Sequence, residues 1–337
     1  MEKIRILAIE TSCDETSAAV IEDGRQVLSN VIYSQIDIHR KYGGVVPEIA
    51  SRNHILKIDH VVSTALAEAE TDLGGISAVA VTFGPGLVGA LLVGLNFGKA
   101  LAYARNLPLV GVHHVAGHIA SNYLENPDFA PPFVALVVSG GHTLLVHVKD
   151  YDNFTVLGKS LDDAAGEAYD KVARCLGLSY PGGVEIDRLA KKGNAAAISF
   201  PRARLGANSL DFSFSGLKSA VLNHLNSAKM AGRNVNFADV AASFQEAVVD
   251  VLAEKAIEAC YRSDVKQLAA AGGVACNSRL REVLEARCAQ EGIALNVPAP
   301  VFCTDNAAMI GAAAYWRYKA GLFSDFALNA VPALELK

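Results

Sequence analysis

The feature that most restricts the fold is a unit that occurs twice, once in each half of the chain. In the first copy an almost unbroken apolar run, Ile4 to Ile9, meets a short polar segment, Glu10-Thr11-Ser12-Cys13-Asp14-Glu15-Thr16. It returns through Ser17 to Ile21 and closes at Asp23-Gly24. In the second copy Phe133 to Val138 meets Ser139-Gly140-Gly141-His142-Thr143 and returns through Leu144 to Val148. Short apolar runs bounded by turn residues predict buried strands. The polar residues are then confined to the tips, where backbone N–H groups and hydroxyls can face a phosphate or a metal-bound water. Asp14 and Glu15 would serve there as metal or water ligands. One such tip alone reads equally well as a plain hairpin. The repetition predicts a duplicated, two-lobed α/β architecture with a ligand cleft between the lobes.

Length and composition agree with that reading. A chain of 337 residues, 51% of them hydrophobic, can bury two sizeable cores. The formal net charge of −5 excludes a generally basic nucleic-acid binder and leaves only a local patch for RNA. Such a patch is available from Arg188 to Arg233. There Arg188, Lys191, Lys192, Arg202, Arg204, Lys218, Lys229 and Arg233 face a single acid, Asp211. Phe200, Phe212 and Phe214, interleaved with them, suit RNA bases or the core, and core is the preferred reading. The six cysteines show no CxxC pairing, which argues against a disulfide framework or a zinc ribbon. The segment MEKIRILAIETS enters a strand without a secretory pattern. Gly84 to Ala104, interrupted by Asn96 and Lys99, reads as a core helix and not a membrane span. A reduced, cytoplasmic protein with no membrane partner is expected.

Three of the nine histidines fall in His113-His114-Val115-Ala116-Gly117-His118. On the predicted helix from Val115 to Tyr123, His114 and His118 lie one turn apart on one face, a spacing that can hold a metal ion or simply make ordinary hydrogen bonds. A carboxylate must come from elsewhere to complete a divalent site. Asp305, expected at the end of a strand from Pro298 to Cys303, is the candidate. Its alternative role is N-cap of the last helix.

The remaining motifs are less decisive. Gly84-Pro85-Gly86-Leu87-Val88-Gly89 matches a dinucleotide fingerprint, but no acid occurs between Asp72 and Glu125 to take the ribose, so tight strand-to-helix packing is the better reading. Gly94 to Ala100 misses the P-loop pattern. The acids Asp163, Glu167 and Asp170 at helical spacing suit a solvated face. Tyr180-Pro181-Gly182-Gly183, followed by Asp187, is either an ordinary turn or a set of N–H donors with a sugar-binding acid. Gly272-Gly273, followed by Asn277 at a helix start, can admit a flat ring.

Taken together, IETSCDET, YGGVVPEIASR, GPGLVGALLVG, HHVAGH, VSGGHT, DDAAGEAYDK, YPGG, FSFSGLKSA, GGVACN and CTDNAAM resemble the bacterial tRNA N6-adenosine threonylcarbamoyltransferase family, once called O-sialoglycoprotein endopeptidase. The resemblance runs from about residue 4 to 320. It implies ribonuclease-H-like lobes of the actin, sugar-kinase and heat-shock chaperone superfamily. Here the lobes would be 1–112, completed by the C-terminal helix 307–337, and 113–306. It also implies transfer of threonylcarbamoyl from threonylcarbamoyl-AMP to N6 of adenosine 37 in tRNAs reading codons that begin with A, with release of AMP. The metal, Fe2+ before Zn2+, would be held by His114, His118 and Asp305, while His113 would not be a ligand. Val137, Val138, Ser139, Gly140 and Gly141 would line the adenylate phosphate and acyl group. Asp170, Gly183, Asp187 and Asn277 would hold ribose and adenine, and Asp14 and Glu15 would act near the reacting carbonyl. A paralogous partner subunit and a small ATPase are the implied protein partners. Two rivals are a metal-dependent glycoprotein endopeptidase and a non-catalytic ATP-binding interaction protein. Against the first, Val115 stands where an H-E-x-x-H base would be. Against the second, nucleotide-binding lobes alone have no need of a histidine cluster.

Overall fold

The structure is a computed structural model that describes residues 3–336 except 204 and 207, so Arg204 of the basic stretch lies outside the described residues. The chain forms two compact units. One comprises Met1–Pro131, Lys149–Phe154 and Pro298–Lys337, the other Pro132–Val148 and Thr155–Val297.

The first unit is built on a five-stranded sheet of β1 (Arg5–Glu10), β2 (Glu15–Glu22), β3 (Gln26–Ser34), β4 (Ala78–Gly84) and β5 (Leu109–His113), in the order β3-β2-β1-β4-β5. The β1–β2 and β2–β3 pairs are antiparallel, while β1–β4 and β4–β5 are parallel. Leu7, Ile9, Val20, Val79 and Val81 pack with Ile58, Val61 and Val62 of helix Pro47–Glu68 and Leu95 of helix Val88–Arg105. Helix Ala307–Lys319 packs on β1, β2 and helix His114–Ala120. Burial of both β1 faces explains why its strand is an unbroken apolar run and not an alternating one.

The second unit repeats the plan. Its strands are β6 (Phe133–Val138), β7 (Thr143–Asp150), β8 (Asn153–Lys159), β9 (Gln267–Ala271) and β10 (Ala294–Asn296), in the order β10-β9-β6-β7-β8. Read from the other edge, this is the order of the first sheet, with β6 in the place of β1 and β9 in the place of β4. The pairings match as well, antiparallel for β6–β7 and parallel for β6–β9. The duplication expected from two hairpins is thus a duplication of whole sheets. The third strands, β3 and β8, lack a clean apolar pattern, and most of their residues are half-buried or exposed.

The expected lobe boundary at 112/113 lies elsewhere. Residues 113–131 and 298–306 fold with the first unit, because β5 runs directly into helix His114–Ala120, which packs on helix Ala307–Lys319. The glycines of the 84–98 stretch serve packing. A Cβ on Gly94 would lie 2.4 Å from Thr11 Oγ1, and one on Gly98 would lie 2.2 Å from Val81 Cγ1. Phe212 and Phe214 are buried and stacked on each other, which places both in the core. Among the described residues no helix is long and apolar enough to cross a membrane.

Gly98→Ala should cost about 1–3 kcal/mol by overpacking against β4 and lower the melting temperature by several degrees. The same change at Gly140, where a new Cβ meets nothing within 4 Å, should leave the melting temperature within about a degree of wild type, as surface changes usually do.

Candidate functional site

The carboxyl ends of β1, β4 and β5 deliver the first group of residues. Glu10, the last residue of β1, is fully buried. Its carboxylate accepts hydrogen bonds from the Thr82 hydroxyl of β4 at 2.5 Å and from the Ser12 backbone N–H at 2.5 Å. It also lies 3.2 Å from His114 Nδ1, beside the Ser12 hydroxyl at 3.1 Å from the same nitrogen. With Nδ1 so engaged, His114 Nε2 faces Asp305 at 3.6 Å, and His118 Nε2 lies 3.2 Å from the same Asp305 oxygen. One ligand atom from each of His114, His118 and Asp305 falls within 4.8 Å of the others.

Helical geometry explains the pairing. His114 opens the helix and His118 follows one turn later, so the rings meet edge to face with centroids 4.7 Å apart. His113 is used differently. Its Nδ1 caps the helix by accepting the Val115 N–H at 3.1 Å. Burial and the neighbouring His114 charge push its pKa down to about 4.

Asp305 does not end a strand, as the sequence suggested. Pro300–Cys303 is a short helix, favoured by proline in its first turn. Nor is Asp305 the cap of the next helix. That role belongs to Asn306, whose side-chain oxygen accepts the Met309 N–H at 3.0 Å, leaving the Asp305 carboxylate to face the histidines.

The residues fit a divalent cation by their own chemistry. His118 is fully buried; its Nδ1 has no hydrogen-bond partner among the described residues, and its Nε2 meets only the Asp305 carboxylate, at 3.2 Å and outside hydrogen-bond geometry. A buried imidazole whose nitrogens make no hydrogen bond is costly unless something else completes it. The local charge is also lopsided. Burial and the carboxylates of Asp14 and Asp305 drive the Glu15 carboxyl well above its usual range, and burial with the same acids raises the Cys13 thiol. Burial would raise Glu10 too, but the His114 charge and hydrogen bonding hold it below the usual range. Burial works against a charged His114, yet Asp305 and Glu10 outweigh it and bring it up to about 9.

Asp14 is buried and Glu15 half-buried at the start of β2, where Glu15 accepts the Ser34 hydroxyl at 2.9 Å. The turn that carries them is stapled by His54 of helix Pro47–Glu68. The His54 Nε2–H donates to the Cys13 carbonyl at 3.0 Å, and Nδ1 accepts from the Thr16 hydroxyl at 2.7 Å. Sequence reasoning missed Glu10, Thr82 and His54. For Glu10 a signal existed, since an acid closing an unbroken apolar strand must be buried with partners.

The second group lies wholly in the other unit, at the carboxyl ends of the parallel neighbours β6 and β9, the usual ligand position in such sheets. Val137 and Val138 are buried, and Ser139 begins the turn, its hydroxyl accepting the His142 N–H at 3.1 Å. Backbone crowds this turn from two sides. A Cβ on Gly166 would lie 2.6 Å from the Ser139 carbonyl oxygen, and one on Gly272, at φ +90°, would lie 2.4 Å from the Val138 carbonyl oxygen. Gly140 and Gly141 themselves face open space. Packing does not demand them, and their bareness leaves room for a ligand to approach the backbone.

The remaining candidates are tied to the scaffold. Asp170 accepts the Gly182 N–H at 2.7 Å, and Asp187 accepts the Ser278 hydroxyl at 2.8 Å. The Asn277 amide donates to Gln245 at 2.7 Å and caps helix Ser278–Glu291 through Leu280 N–H at 3.0 Å. Gly183 stands one residue inside helix Gly182–Ala190. Asp163 and Glu167 instead pair with Lys171, as a solvated face would.

Comparisons with known proteins give the family and the fold. The sequence model of the TsaD family, described as tRNA N6-adenosine threonylcarbamoyltransferase, matches residues 26–312. The tRNA N6-adenosine threonylcarbamoyltransferase of Clostridium beijerinckii is 59% identical over 336 residues, covering 100% of this chain and 99% of the relative. Component A of the Acidaminococcus fermentans (R)-2-hydroxyglutaryl-CoA dehydratase superposes with a TM-score of 0.56 at 17% identity, over 94% of this chain and 98% of that one. Full-length HypF, in its phosphate- and nucleotide-bound form, gives a TM-score of 0.63 at 14% identity, over 95% of this chain and 47% of that one. The two structures speak for the fold alone.

The raised His114 value has a stability consequence in chelator-treated protein. Folding raises the pKa from 6.5 to about 9, so the stabilisation is complete below about pH 6.5 and is lost as pH rises through about 9. Urea midpoints of the chelated protein should therefore fall between pH 7 and 9.5, and His114→Asn should flatten that decline. A midpoint that rises over the same interval would contradict the assignment.

Proposed function

The chain belongs to the tRNA N6-adenosine threonylcarbamoyltransferase family, and we propose that His114, His118 and Asp305 hold one divalent ion, iron or zinc, beside which threonylcarbamoyl-AMP reacts with N6 of adenosine 37 of tRNA. The observation that carries this reading is the buried His118 imidazole converging with His114 on one Asp305 oxygen, with ligand atoms within 4.8 Å of one another. When bound, the ion supplies Lewis-acid polarisation and orientation of the threonylcarbamoyl group.

The protein's own groups divide the rest of the work. Glu10 orients His114 through Nδ1, the outer-shell role that carboxylates commonly play for metal-bound histidines. The backbone of Val137 to Gly141 receives the phosphate and acyl part of the adenylate, with open space over Gly140 and Gly141. Asp170, Gly183, Asp187 and Asn277 line the ribose and adenine. An acyl-adenylate is already activated, so no protein nucleophile is required. Attack forms the N6–carbonyl bond and breaks the carbonyl–phosphate oxygen bond, releasing AMP. The proton lost from N6 passes to the Asp14–Glu15 turn. Positioning and preorganised donors supply most of the acceleration.

The family resemblance supports a paralogous subunit and a small ATPase as partners, and a tRNA substrate supports a cytoplasmic protein.

His114→Ala and Asp305→Ala should each abolish bound metal and reduce transfer by at least about a hundredfold while the chain stays folded. Metal analysis and mass spectrometry of tRNA nucleosides, with the partner proteins and threonylcarbamoyl-AMP supplied, read both effects. Normal transfer by a metal-free variant would refute the role given to the ion. Glu10→Gln should weaken metal affinity by about 10–100-fold without abolishing it.

A further inference from the structure

We propose that the groove beside helix Ser215–Met230 grips an unpaired stretch of the tRNA substrate through its phosphates and bases. The inference rests on tRNA being the substrate and adds where the chain holds it. The groove has a volume of about 590 Å³. Leu222, Leu225, Val235 and Phe237 form its apolar lining, and Lys229 and Arg233 stand on it. No acid lines it.

Three observations favour a polyanion over a protein. The chain as a whole carries more acids than cations, yet no Asp or Glu occurs from Phe212 to Ala238. Lys218, Leu222, Leu225 and Lys229 follow one another at spacings of four, three and four, so they form one stripe along the helix. Its two lysines are about 16 Å apart along the helix axis, a separation that spans a few nucleotides of an extended strand. The other cations of the basic stretch are mostly neutralised. Arg188 pairs with Glu185, Lys191 with Asp187, and Arg202 with Asp250. Lys218, Lys229 and Arg233 have no acidic partner among the described residues. An apolar floor carrying an exposed aromatic ring, edged by unpaired cations, is the surface that single-stranded RNA recognises: cations meet phosphates while bases stack on the ring.

The groove is also placed to serve the reaction. Cys175, which lines it, ends helix Ala165–Cys175. The opposite end of that helix carries Gly166, pressed on the Ser139–Gly140 turn. The two sites are thus separated by about 15 Å of helix, a distance that a folded tRNA exceeds several times. RNA held in the groove leaves the target nucleotide free to reach the adenylate.

The test is tRNA affinity of the full-length chain as a function of salt. Lys229→Glu with Arg233→Glu should weaken binding by about tenfold or more and flatten the slope of log affinity against log salt by about 1.4. Phe237→Ala should weaken binding by about fivefold or more with the slope unchanged. Lys149→Glu with Lys319→Glu, an equal charge change at exposed positions elsewhere, should bind like wild type. In the reconstituted reaction the groove variants should raise KM for tRNA and keep kcat and metal content. Wild-type affinity and slope in the groove pair would overturn the proposal. Equal weakening in the matched pair would do the same, as would loss of a protein partner with tRNA binding intact. A wild-type protein that binds tRNA but forms no modified nucleoside would count against the proposed chemistry and leave the binding result standing.

Discussion

A carboxylate with no exposed surface, Glu10, is the point on which the first unit's chemistry turns. Left alone in that position it would be protonated, because burial penalises its charge. It is instead held ionised by a hydroxyl from β4, a backbone N–H from its own turn and an imidazole from the helix after β5. Two of the three donors come from β4 and from the helix that follows β5, so the parallel pairing of β1, β4 and β5 is what makes the cluster possible. Removing any one donor leaves a buried acid short of a partner, which typically costs several times more than an exposed hydrogen bond returns. The orientation of His114, and through it the direction of Nε2 towards Asp305, depends on this arrangement.

The two sheets share one strand order and one pattern of parallel and antiparallel pairs. They diverge in what their tips carry. The tip after β1 is acidic and sits beside histidines. The tip after β6 is bare backbone with two glycines. The difference follows from the ligand each would meet: a cation needs carboxylates and imidazoles, while a phosphate needs N–H donors and no competing negative charge.

Glycine has two separate uses here, and they have different consequences for mutation. At Gly94, Gly98, Gly166 and Gly272 the missing side chain lets backbone or packed side chains come close, and any Cβ collides. At Gly140 and Gly141 there is nothing to collide with. Substitution at the first set should act on folding, and substitution at the second on ligand access.

Much of this was legible from residue order because it depends on local periodicity. Buried strands announce themselves as apolar runs, so β1, β2, β6 and β7 could be read with their tips. A one-turn spacing puts two histidines on one helical face whatever surrounds them, and strong resemblance identified Asp305 as their partner. Local order could not show that 113–131 and 298–306 belong with the first unit, because that follows from helix His114–Ala120 packing on a helix nearly 200 residues later. Nor could it reveal Glu10 as the group that aims His114, or Asn306 as the cap that frees Asp305. Those roles arise from distances between residues remote in the chain, and burial gives such distances their energetic weight. Propensity and pattern act over a few residues, whereas desolvation and hydrogen-bond completion act only once the sheets have closed.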